Sequence, residues 1–137
     1  MSLSKVLGGL SLLALAMLMM IATSDQAESN LQESKKTMLR HVVIFKFKDA
    51  SSEQEVQKVV DGFRELKSKI PQIASFEFGT NNSPEGLNDG FTHCFLVTFK
   101  SEKDRDAYLP HPAHKAFVEL LKPHLDKAMV IDYWAGE

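Results

Sequence analysis

The sequence predicts an α+β domain: a ferredoxin-like β-α-β-β-α-β protomer with one antiparallel sheet, two copies of which form a dimeric α/β barrel. Two observations lead there. Strand-type and helix-type apolar periodicities follow one another in that order between Arg40 and Trp134. A sheet of this kind carries helices on one face only, and Val42, Ile44, Cys94 and Leu96 on its other face are too apolar for water. A second copy stacked sheet to sheet covers them, so a homodimer is expected.

The first strand is "RHVVIFKFK", Arg40 to Lys48, rich in β-branched and aromatic residues. His41, Val43, Phe45 and Phe47 share one face, and Val42, Ile44 and Lys46 the other. "SSEQEVQKVVDGFRELKSKI" predicts a helix. Ser52 and Glu55 have capping-box spacing. Val56, Val59, Val60, Phe63, Leu66 and Ile70 form one stripe, Gly62 permits close packing, and Pro71 ends the element. "IASFEFGT", Ile73 to Thr80, is a short strand, and "NNSPEGLNDG" is a loop by composition.

In "FTHCFLVTFK", Phe91, His93, Phe95, Val97 and Phe99 alternate with Thr92, Cys94, Leu96 and Thr98, which predicts a strand. Cys94 reads as a small buried hydrophobe. Ser101 caps a helix beginning "SEKDRDAY". "HKAFVELLKPHL" is helical as far as Pro123, and "AMVIDYW", Ala128 to Trp134, is the last strand.

Ahead of the domain, Lys5 precedes an apolar run from Val6 to Ala22 and then small and polar residues. Residues 1–24 are expected to be a secretory signal peptide, or an N-terminal membrane anchor if left uncut. A cut after Ser24 puts Ala22 at the third position before it; a cut after Ala27 puts Asp25 there, a poorer fit. Residues 25–38 form a polar linker and 39–135 the domain. The expected mature protein is exported, and touches a membrane only if the leader stays.

The acidic excess, 18 Asp and Glu against 16 Lys and Arg, argues against a nucleic-acid partner. With one cysteine, an internal disulfide is excluded.

"RDAYLPHPAHKAF", Arg105 to Phe117, is the stretch that points to chemistry. Pro110 and Pro112 are expected to push Leu109 and His111 out of helical conformation. Pro112 suits the first helical position, which makes His111 the N-cap and His114 the third helical residue. There the unpaired N–H groups disfavour an imidazolium, leaving a neutral base. Tyr108 lies across the break. A phenol that donates to an oxyanion and an imidazole that takes a proton make a workable pair. His41 joins them as a third polar group, with Val43, Phe45, Val59, Phe63, Phe95 and Phe117 as the apolar wall of a small-molecule pocket. The plainer alternative is that His111 only caps a helix and Tyr108 only packs. His93 reads as a satisfied core histidine, and His124 as a surface residue at a helix start. His111, His114 and either His41 or His93 offer three nitrogens, but at no zinc spacing, so neither metal nor cofactor is expected.

"LRHVVIFKFKD", "GFTHCFLVTFKSEKDRDAYLPHPAHKAF" and "IDYW" together resemble the stress-responsive A/B barrel (Dabb) family over Leu39 to Trp134. The resemblance implies a dimeric α+β barrel. The family includes plant stress proteins and a metal-free polyketide cyclase that closes a ring by aldol-type chemistry. It implies His114 and Tyr108 as a catalytic pair, with His41 as a further pocket histidine. Phe95 stands where that cyclase has valine, Leu125 where it has tryptophan and Phe63 where it has tyrosine, so its substrate does not carry over. The expected function is an exported, dimeric protein with a pocket for a small apolar ligand. The alternative is a cofactor-independent acid–base enzyme.

Overall fold

A computed structural model describes residues 38–136, and the expected leader, its cleavage positions and nearly all of the linker lie outside them. The elements run β1 (Leu39–Phe47), α1 (Glu53–Lys69), β2 (Ser75–Thr80), β3 (His93–Phe99), α2 (Glu102–Tyr108), α3 (Pro112–Leu121) and β4 (Leu125–Trp134). The strands form one antiparallel sheet in the order β2-β3-β1-β4. This is the expected ferredoxin-like order, with the second helical region split in two at the proline-rich break.

Local chemistry starts α1. The Ser52 N–H donates to Glu55 Oε2 at 2.8 Å, and the Glu55 N–H donates to Ser52 Oγ at 3.3 Å. This capping box satisfies two donors that the first turn leaves free. Val59, Val60, Phe63 and Leu66 are buried along the inner stripe. A Cβ on Gly62 would come within 2.7 Å of Leu120 Cδ2, so its missing side chain lets α3 lie close.

In β1 the period of two is kept: Leu39, His41, Val43 and Phe45 are buried, while Arg40, Val42, Ile44 and Lys46 are half-buried. The core sits between this inner face and the helices. Its centre is Phe63, with ring centroids 4.5 Å from both Phe95 and Phe117 and 5.2 Å from Phe76.

Four expectations need correction. Cys94 is exposed on the outer sheet face of the single chain rather than buried, because nothing among the described residues covers that face. Leu109 keeps helical angles (φ −57°, ψ −46°) despite preceding Pro110, so α2 closes normally and only His111 (φ −59°, ψ 135°) is extended. His124 starts no helix. It lies in the turn before β4, where its carbonyl accepts from the Lys48 N–H at 2.8 Å. The last strand begins at Leu125, three residues before its apolar run, because pairing with Lys46 and Phe47 extends it through the charged Asp126 and Lys127.

Candidate functional site

The break between α2 and α3 builds the site from its backbone. Pro112 has no N–H for the Tyr108 carbonyl, which accepts from the His111 N–H instead, at 3.1 Å. The Ala113 N–H is taken by His111 Nδ1 at 3.1 Å, as expected of an N-cap. The Leu109 carbonyl thereby loses its helical donor. His114 supplies one: its Nδ1–H donates to that carbonyl at 2.9 Å. A carbonyl can only accept, so Nδ1 carries the proton and the neutral ring presents a bare Nε2.

His114 and Tyr108 then meet, with ring centroids 4.3 Å apart. Both line a cavity of about 240 Å³ between the inner sheet face and the helices. His41 lines it from β1, its ring 5.8 Å from that of Tyr108. Of the apolar wall expected from sequence, Val43, Phe45, Phe63 and Phe117 line the cavity. Val59 and Phe95 lie fully buried in the core behind it. Leu109, Val118, Leu121, Ala128 and Val130 complete the lining, and sequence reasoning did not single them out.

The electrostatics differ at the three polar groups. Tyr108 is wholly buried, and its hydroxyl finds no partner among the described residues. Burial pushes the phenol well above the usual tyrosine range, so it remains a neutral donor. Burial also holds the His114 imidazole below its ordinary value, with His41 and His111 acting the same way and the Leu109 hydrogen bond opposing. The direction agrees with the expectation from the helix terminus, and desolvation is its first cause. His41 is held by Asp132, whose Oδ1 accepts from Nδ1 at 2.6 Å. A neutral phenol and an uncharged imidazole on an apolar wall can donate to one oxygen of a ligand and take a proton from another atom of it.

Elsewhere, a wider groove of about 790 Å³ runs between α1 and β2. Asp61, Arg64, Glu65 and Lys67 line it as solvated surface charges, without a buried polar pair. His93 is half-buried beside Thr92 Oγ1 (2.9 Å) and edge-on to Phe47 (5.0 Å), away from the cavity lining.

The family model for the stress responsive A/B barrel domain (Dabb) matches residues 39–135. The stress-response A/B barrel domain-containing protein HS1 of Arabidopsis thaliana is 36% identical over 101 residues, 74% of this chain and 93% of that protein. Olivetolic acid cyclase of Cannabis sativa is 27% identical over 95 residues, 69% of this chain and 94% of the cyclase. Among solved structures, a dimeric protein of unknown function and ferredoxin-like fold from Bacteroides fragilis superposes with a TM-score of 0.60 at 27% identity, over 72% of this chain and 97% of that one.

Proposed function

The chain belongs to the stress responsive A/B barrel domain family, and from that premise we propose that it is a homodimeric protein that binds a small, largely apolar molecule in the cavity beneath Tyr108 and His114. One observation carries this reading: a fully buried phenol whose hydroxyl has no partner among the described residues, on the wall of an apolar cavity. An unmade hydrogen bond in such a place costs roughly 1–3 kcal/mol. A ligand oxygen that accepts from Tyr108 recovers it. The cavity size suits a molecule of about one ring, smaller than typical drug-sized ligands. A binding screen of small neutral carbonyl and hydroxyl compounds against the parent protein and Tyr108→Phe tests it. Ligands whose affinity falls in the variant support the reading; a screen with no binder to the parent overturns it.

The homodimer rests on the apolar outer sheet face, where Met129, Ile131 and Tyr133 are exposed in the single chain, and on the dimeric solved relative. Export rests on the order of Lys5, the apolar run and the small residues after it. Tryptic mapping of the protein recovered from outside its cells, with a new N-terminus after Ser24, checks that.

A second reading is favoured by the bare Nε2 of His114 beside a neutral phenol, and by the similarity to olivetolic acid cyclase. In it, His114 removes a proton next to a carbonyl and Tyr108 stabilises the enolate oxygen, without a cofactor. Deuterium exchange at carbons next to the carbonyl of a bound ketone, lost in His114→Ala, would identify it. Binding without exchange leaves the first reading alone.

A further inference from the structure

We propose that Asp132, itself anchored by Arg105, is a positioning residue that sets His41 as a hydrogen-bond acceptor on the cavity wall. The ligand-facing part of this rests on the small-molecule reading above. The role of Asp132 toward His41 does not.

His41 and Asp132 sit directly opposite one another in the pairing of β1 with β4, so their side chains share the inner face. The imidazole is nearly buried, 5% exposed. Asp132 Oδ1 lies 2.6 Å from its Nδ1. The other carboxylate oxygen is engaged too: Arg105 Nη1 donates to Asp132 Oδ2 at 3.0 Å. Arg105 is in turn fixed by Asp106, whose Oδ1 accepts from Nε and Nη2 at 3.0 Å each. A guanidinium cannot give up its charge, so a fixed positive group stands against the far oxygen of Asp132. An ionised carboxylate only accepts, so in the uncharged form of the His41 ring the proton lies on Nδ1. Nε2 is then bare, on a ring that lines the cavity. This is the arrangement in which a carboxylate fixes both the tautomer and the orientation of an imidazole.

The consequence is a directional wall. Tyr108 offers one donor. His114 offers an acceptor, because its Nδ1–H is spent on the Leu109 carbonyl. With Asp132 in place, His41 offers a second acceptor rather than a second donor. Among the described residues, no lysine or arginine lines the cavity. The site therefore favours an uncharged ligand carrying hydroxyl donors as well as one acceptor oxygen.

Nitrogen-15 NMR of the histidine rings near neutral pH reads the tautomer directly, with His41→Gln identifying the His41 signals. The expected parent spectrum has the proton on Nδ1. Asp132→Ala is expected to move it toward Nε2. Asp132→Asn, which keeps the shape if the alanine variant folds poorly, is expected to give a mixture, and Arg105→Met a smaller change. Binding adds a readout that a merely structural role would not move. With His114→Ala in both proteins, so that His41 is the remaining acceptor, phenol should bind about tenfold more tightly than anisole, which cannot donate. Adding Asp132→Ala should abolish that ratio. A parent proton on Nε2, or a tautomer unchanged in both Asp132 variants, overturns the proposal. If neither probe binds the parent, the small-molecule reading fails, while the NMR result still decides the role of Asp132.

Discussion

Tyr108 and His114 face each other across a helix break, 4.3 Å between ring centroids, yet the Tyr108 hydroxyl bonds to nothing among the described residues. A residue kept only for packing would be better as phenylalanine at this position. Tyr108→Phe removes the unpaired hydroxyl without leaving a void. It is expected to stabilise the protein by about 1–3 kcal/mol, the cost of an unsatisfied buried polar group, while weakening ligands that carry an acceptor oxygen. Urea unfolding of parent and variant measures the first effect and calorimetric titration the second. Destabilisation by the substitution would mean that the hydroxyl already has a partner.

Acid should weaken the fold in two stages. Burial lowers the proton affinity of the His114 and His93 rings below their ordinary values. The unfolded chain then binds more protons than the native one, so stability rises with pH. This contribution is complete above about pH 6.5, the unperturbed histidine value, and is lost as pH falls through the depressed native values. Glu55, held below its ordinary value chiefly by the Ser52 backbone hydrogen bond, acts in the same sense but only below about pH 4.3. Urea midpoints across pH 8 to 5 should fall for the parent and fall less for His114→Gln and His93→Gln.

How much of this was legible beforehand divides along one physical line. The start of α3 was readable because its determinants are adjacent: a proline at the first helical position and a histidine whose Nδ1 caps the turn. The capping box of α1 was readable for the same reason. The bond between His41 and Asp132 was not, since it spans 91 residues and exists only in one register of β1 against β4. The cavity boundary was also hidden. Phe63 and Phe95 look alike in sequence, but packing makes Phe63 a wall and leaves Phe95 behind it. Leu109 kept a helical backbone before Pro110, because its N–H bond to the Arg105 carbonyl at 3.1 Å outweighs the local bias.

Phe63 joins the core to the cavity, touching the rings of Phe95 and Phe117 at 4.5 Å while lining the pocket. Phe63→Ala should cost about 3–5 kcal/mol through lost burial and the void it leaves. The same void adjoins the ligand space. Small aromatic compounds should therefore restore part of the lost stability, read as a rise in the thermal midpoint with ligand concentration. A variant that is destabilised but not rescued by any such compound would show that the core closes over the gap.

The outer sheet face carries the last prediction. Val42 pairs with Ile131 and with Leu96, and Ile44 with Met129, so these side chains form one apolar surface turned away from the helices. Ile131 is 49% exposed in the single chain, high for a central residue of an apolar strand. A charge there costs little if the face is wet and several kcal/mol if a second copy buries it unpaired. Ile131→Lys is therefore expected to convert a dimer into a monomer with little loss of secondary structure, measured by light scattering and circular dichroism at micromolar concentration. The exposed Cys94 supplies an independent check on the same face: its thiol should react slowly with a bulky maleimide in the parent and quickly in Ile131→Lys. A parent protein that is already monomeric, with Cys94 freely reactive, would mean that the apolar face is covered by something other than a second copy.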